Sequence, residues 1–226
     1  NVELKDFISK KLKKDKKKLI CTIEPRTPPD SRYATTSKEV LSKVEYANDY
    51  KAIGKACDEV RIMAYDQSTD DAKLVNQNKL QGKLYAPVAD IEWVKKVVTV
   101  ALWDIPAKKI LIGVPTYGYK YEVIRGTSTI QYRRIGTMNY EFAEELAQSL
   151  KITPTRNSAG ELSFSYSSNT DRAYPNDTKL REYLVWYSDA EAIKDKVKLA
   201  KLYKLGGVSV FRVDGSHDPR LFEVLK

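Results

Sequence analysis

Cysteine, histidine and methionine are scarce in this sequence: two, one and two copies in 226 residues. Cys21 and Cys57 form no CxxC pair, and a single histidine leaves no zinc-site pattern. No metal and no cofactor is therefore expected. Cys21 falls in an apolar strand and Cys57 at the end of a helix. Both read as buried thiols, with a disulfide open to them only if the chain is exported. No run of about 18 apolar residues exists, so no membrane span is expected. No GxGxxG and no P-loop follows any apolar segment, which counts against a nucleotide-binding sheet. The first residues, Asn1-Val2-Glu3-Leu4, include no methionine and no basic stretch followed by an apolar one. They do not read as a signal peptide, and an upstream segment is expected.

Hydrophobic residues make up 42% of the chain and charged residues 31%, a globular composition. The length suits one sizeable core, or one core with a small appended domain. The formal net charge is +9, and much of it sits in Lys10, Lys11, Lys13, Lys14, Lys16, Lys17 and Lys18. Attraction to an anionic polymer is one reading of this run. The reading preferred is a solvated helix end, because charge runs mark solvated faces and no nucleic-acid motif accompanies this one. No nucleic-acid partner is expected.

Apolar residues recur at helical spacing at Leu4, Phe7, Ile8 and Leu12. Leu19–Ile23 then reads as a buried strand, closed by Pro25, Pro28 and Pro29. A helix with Tyr50, Ile53 and Cys57 precedes a strand over Val60–Tyr65, and a polar loop follows. Asp90 caps a helix whose apolar face runs through Val94, Val97, Val98 and Leu102. Ile110–Val114 is the next strand. This alternation predicts a parallel sheet with crossover helices. Residues 120–183 break the pattern with short alternating segments, such as Leu162-Phe164-Tyr166, around a helix near 139–150. They read as a small α+β insertion. A helix around 189–204 and a strand at Val208–Phe211 restore the β/α order.

Three strand ends together resemble the family-18 glycoside hydrolases. Met63-Ala64-Tyr65-Asp66 fits the Met-x-Tyr-Asp signature at the end of that family's strand six. Gly113-Val114-Pro115-Thr116-Tyr117-Gly118 is similar to its strand-seven segment Gly-x-Pro-x-Tyr-Gly. Gly206-Gly207 through Phe211 is similar to its strand eight, which commonly reads Gly-Gly-x-x-x-Trp. The insertion between strands seven and eight is also a feature of the family.

The resemblance implies a (β/α)₈ TIM barrel of which this chain holds strands five to eight only, with the small α+β insertion between strands seven and eight. Residues 1–119 would carry strands five to seven, 120–183 the insertion, and 184–226 the last helix and strand eight. Function in such barrels gathers at the C-terminal ends of strands. The implied partners are a β-1,4-linked N-acetylglucosamine glycan, of chitin or peptidoglycan type, and the missing N-terminal half of the barrel. Export to the cell surface or beyond follows from such a substrate.

By the same resemblance, Tyr65 donates to the acetamido carbonyl of the sugar and Asp66 bonds the sugar or the catalytic acid. Met63 belongs to the implied substrate-binding set, Tyr117 lines the floor, and Phe211 takes the place of the usual Trp. Glu24 and Arg26, charges at the end of the first strand, are expected to face the cleft, where an ion pair is open to them. The family's acid belongs to an Asp-x-x-Asp-x-Asp-x-Glu motif at the end of strand four. That motif is absent: neither Asp66–Asp71 nor Asp214–Asp218 fits it. The chain is expected to be inactive alone, with a lectin-like glycan binder as the alternative. A bare half-barrel, with open edges, is expected to be unstable, self-associating or packed on its other half.

Overall fold

A computed structural model describes residues 10–11, 14–15, 17–33, 37–127, 129–170, 174–175 and 178–226. The helix expected over Val2–Leu12 falls almost wholly outside them. The described lysines of the basic run, Lys10, Lys11, Lys14, Lys17 and Lys18, are exposed.

Four strands form a parallel sheet in the order β1, β2, β3, β9: Ile20–Ile23, Glu59–Ile62, Ile110–Pro115 and Gly207–Phe211. The longer helices between them are α1 (Tyr50–Ala56), α2 (Ala72–Leu80), α3 (Ile91–Ala101) and, before β9, α5 (Ala190–Leu202), with two short helical turns at Pro29–Arg32 and Lys38–Ser42 ahead of α1. Side chains alternate along each strand. One parity places Ile23, Val60, Ile62, Ile110 and Ile112 against Tyr50, Val94, Val97 and Val98 in one apolar core. Val114 and Val210 of the same face meet Ile193 and Val197 of α5.

The register aligns the other parity into a second face. Thr22 pairs with Arg61, Arg61 with Leu111, Gly113 with Ser209 and Pro115 with Phe211. No helix covers that face among the described residues. Ile20 is 43% and Phe211 45% exposed, values that mark an apolar surface left uncovered. The sheet does not close: β1 and β9 are its edges.

The segment between β3 and β9 forms an antiparallel sheet in the order β5, β4, β8, β7, β6: Ile130–Asn139, Tyr117–Arg125, Arg181–Tyr187, Leu162–Ser168 and Thr155–Arg156. Helix α4 (Tyr140–Ser149) lies against it through Ala143 and Ala147, packed on Phe164, Val185 and Tyr187. Gly118 is required where β4 crosses β8, since a Cβ there would lie 2.1 Å from the Trp186 carbonyl oxygen.

Three expectations are corrected. The polar loop after Tyr65 contains α2, capped by Asp71, which accepts from Leu74 N. Only Leu74 and Asn78 of that helix are buried, so it carries too little apolar periodicity to register. The strand over Val60–Tyr65 ends at Ile62; the next residues turn, with Tyr65 N donating to Met63 O. The cysteines are not thiols. The parallel pairing of β1 with β2 brings Cys21 beside Cys57 at the end of α1, with 6.1 Å between their Cα atoms, and they form a disulfide.

A buried polar cluster ties the two sheets together. Glu161, wholly buried at the head of β7, accepts from Val88 N at 2.9 Å, Ala89 N at 3.0 Å and Trp186 Nε1 at 2.7 Å. Lys196 of α5 lies 3.9 Å away and donates to Ala192 O. Burial pushes the Glu161 carboxyl up and the Lys196 ammonium down from their ordinary values, and their mutual attraction opposes both shifts. Beside them Tyr85 donates to Asp90, and Gln67 donates to Tyr85 and accepts from Asp90 N.

Two measurements check these ties. Lys196→Met leaves a carboxyl buried without its cation and is expected to cost about 3–5 kcal/mol in urea unfolding. Reduction of the disulfide, whose cysteines are 36 residues apart, is expected to cost about 3–4 kcal/mol, read from denaturation with and without reductant.

Candidate functional site

The loops leaving β2, β3 and β9 meet at the C-terminal edge of the parallel sheet. Tyr65 and Asp66 follow β2. Gly113 lets Tyr65 lie over β3, because a Cβ there would sit 2.6 Å from the tyrosine ring. Asp66 holds a left-handed backbone, φ 60°, a conformation that Asp tolerates better than most residues. That turn aims its carboxylate at β4, where Oδ1 accepts from Tyr117 and Tyr119, each at 2.6 Å. The two phenols share a face of β4 because they are two residues apart.

Aromatic rings enclose this pair of bonds. Tyr65 and Phe211 stack with centroids 5.1 Å apart and planes 13° from parallel. Tyr117 stands edge-on to Tyr65, Phe211 and Tyr119. Asp66, Tyr117, Tyr119, Thr137, Phe211 and Arg212 line a cavity of about 180 Å³. The Phe211–Arg212 segment is fixed from β3: Thr116 N donates to Phe211 O, and Thr116 Oγ1 bonds the carbonyl and the amide of Arg212. The Phe211–Arg212 peptide is cis.

Burial pushes the Tyr117 phenol far above its ordinary value, and the hydrogen bond and charge of Asp66 add to the shift. The same causes in the same order push Tyr119 up to about 12. Burial, then Asp66, raises Tyr65. The site therefore presents neutral phenols over the whole physiological range. Tyr117 and Tyr119 donate their O–H groups to Asp66, so Tyr65 is the donor left for an outside acceptor, among flat apolar rings that suit the face of a sugar.

Four of the sequence-derived residues, Tyr65, Asp66, Tyr117 and Phe211, come together. Met63 lies half-buried on the open face, and its N–H donates to Ile23 O. Glu24 is exposed on that face, and its carbonyl accepts from Tyr50 at 2.6 Å. Arg26 forms no ion pair with Glu24. Its guanidinium lies between the rings of Tyr46 and Tyr50, 4.2 and 4.1 Å from their centroids, because two flat faces there satisfy a planar cation. Tyr119, Thr137 and Arg212 were missed. The period-two alternation of β4 points to Tyr119, and Arg212 adjoins Phe211, whereas Thr137 arrives only by cross-strand pairing with Tyr119.

Among the described residues no group of three or more His, Cys, Asp and Glu is placed to hold a metal, and no helix is long and apolar enough to cross a membrane.

These strand ends lie inside a segment, residues 3–215, that matches the family model for glycosyl hydrolases family 18. The chain belongs to that family. The Bacillus subtilis glycosylase YvbX is 32% identical to this family-18 chain over 165 residues, which are 72% of this chain and 40% of that protein. The spore cortex-lytic enzyme SleL of Bacillus megaterium superposes with a TM-score of 0.69 at 25% identity, over 99% of this chain and 44% of that one. A chitinase from Chromobacterium violaceum superposes with a TM-score of 0.72 at 21% identity, over 99% and 59%. The family-18 chain thus spans less than two thirds of each of these relatives.

Asp66→Asn is expected to bring the Tyr119 ionisation down from about 12 toward the ordinary tyrosine value, as read by ultraviolet titration. The raised phenol stabilises the fold fully below about pH 10 and loses that contribution as pH rises through its folded value, so the mutant's alkaline loss of stability is smaller.

Proposed function

We propose that this chain supplies strands five to eight of a family-18 barrel, with the insertion at 120–183, in a glycosidase acting on N-acetylglucosamine-containing glycans. Hydrolysis is substrate-assisted and retaining. The 2-acetamido group of the sugar attacks its own anomeric carbon while a Glu outside these 226 residues protonates the leaving oxygen. Tyr65 donates to the acetamido carbonyl, a preorganised stabilisation of developing charge. Asp66, held by Tyr117 and Tyr119, orients that centre, and Phe211 lies under the ring. Met63 extends the floor along the open sheet face, with Glu24 and Arg26 at its far rim.

The observation that carries this reading is the Asp66 carboxylate held by two phenols beside the Tyr65–Phe211 stack, at the strand ends of a family-18 chain. The uncovered sheet face and its two edges support a further half of the barrel as the partner. The disulfide supports an oxidising location, outside the cell or on its surface. Family membership together with the missing acidic motif favours a second reading, a lectin-like glycan binder. A Glu at the end of strand four decides for the hydrolase, and a substituted residue there for the lectin.

Calorimetric titration with a β-1,4-linked N-acetylglucosamine oligomer tests the site. Tyr65→Phe is expected to weaken binding about fivefold, the loss of one hydrogen bond. Residues 1–226 alone are expected to release no product from a chromogenic chitobioside. Unchanged affinity in the mutant, or turnover by residues 1–226 alone, contradicts the assignment.

A further inference from the structure

Arg134 takes no part in the Asp66 cluster, and its placement depends on a local irregularity. Along β4 and β5 the pairing runs Tyr117 with Asn139, Tyr119 with Thr137 and Lys120 with Gly136, then shifts so that Tyr121 pairs with Arg134. Ile135 is the extra residue of a β-bulge. Without it, Arg134 and Thr137, three apart, would point to opposite faces. With it, both share the face of Tyr119 and Tyr121. Bulges re-aim side chains in this way.

The result separates two neighbouring arginines. Arg133 turns to the outer face and pairs with Glu122. Arg134 turns inward, with its guanidinium carbon 4.7 Å from the centroid of the Tyr119 ring. Arg125, Arg133 and Arg181 on this antiparallel sheet each hold a carboxylate, whereas Arg134 holds none among the described residues. Its side chain is exposed, and it reaches the Asp66 cavity through Tyr119, the ring it covers and a residue that lines that cavity. Arg212 lines the same cavity, in an ion pair with Asp214 at 3.4 Å. Both members of that pair are more than half exposed, so little stability is lost when the guanidinium turns to another anion.

We infer that Arg134, carried on the Tyr119 ring and assisted by Arg212, is a specificity-determining residue that selects glycans with a carboxylate on the sugar adjoining the acetamido sugar. The inference rests on the Asp66 cavity being a sugar subsite. Against the single negative charge of Asp66 stand the guanidinium groups of Arg134 and Arg212. A ring-stacked guanidinium keeps its N–H edges free for the two oxygens of a carboxylate. The net charge of +9 draws an anionic polymer toward the chain.

The test uses the protein with three glycans of equal length: the neutral N-acetylglucosamine oligomer, an alternating oligomer in which every second sugar bears a 3-O-lactyl carboxylate, and that oligomer with its carboxylates amidated. Binding is measured by calorimetry at low and high salt. The wild-type protein is expected to bind the acidic glycan about tenfold tighter than the neutral one, the worth of one charged hydrogen-bond pair, with the gap narrowing in salt. The amidated glycan loses that advantage. In Arg134→Gln the acidic-to-neutral ratio falls to about one, Arg134→Lys keeps part of it, and Arg125→Gln keeps all of it. Equal binding of acidic and neutral glycans by the wild type, or a ratio that survives Arg134→Gln, overturns the inference while leaving the glycan site standing. Failure to bind any of the three removes the glycan site itself, and the inference with it.

Discussion

Glu161 has no water to turn to, and the joining of the two sheets follows from that. A fully buried carboxyl is costly unless its oxygens are met by donors. Here they are met from three directions: the Val88 and Ala89 amides ahead of α3, the Trp186 indole on β8, and at longer range Lys196 of α5. The antiparallel sheet cannot shift relative to the parallel one without breaking this set. β4 leaves β3 after a single residue and runs beside β8, so the same ties fix where Tyr117 and Tyr119 point. Their grip on Asp66 is a consequence of the buried cluster as much as of the local turn.

A second constraint is the face without a cover. One side of the parallel sheet is packed to zero exposure at Val60, Ile62, Ile110 and Ile112. The other presents Ile20, Leu111 and Phe211 beside Thr22, Glu24 and Arg61. Mixed apolar and charged character along strand ends suits a surface that meets both a core and a ligand. The aromatic cluster stands at the C-terminal rim of this face, where α/β barrels place their chemistry. In the proposed reading the same face is floor to the glycan and wall to the rest of the barrel.

The sequence made the strands and most helices readable because their apolar residues are periodic: alternating along Leu162, Phe164 and Tyr166 of β7, helical along Val94, Val97 and Val98. The strand-end motifs exposed Tyr65, Asp66, Tyr117 and Phe211 for the same reason, since each sits at a fixed offset from an apolar run. Helix α2 was hidden because its stability comes from the Asp71 cap and a few contacts, not from a hydrophobic stripe. The disulfide was hidden because Cys21 and Cys57 meet only through the parallel register. The neighbours of Arg26 were hidden because charge alone does not reveal a partner, and here the partner is a pair of rings. Thr137 and Arg134 depend on cross-strand pairing and on a bulge, which one strand's pattern does not encode.

In the proposed reading the Asp66 cluster holds an acetamido sugar. Nuclear magnetic resonance of the protein with carbon-13 in its tyrosine and phenylalanine rings, titrated with an N-acetylglucosamine oligomer, tests it most directly. Saturable shifts are expected at Tyr65, Tyr117, Tyr119 and Phe211, and none at Tyr85, Tyr183 or Tyr187, which are buried elsewhere. Shifts confined to other rings, or no shifts at all, contradict it.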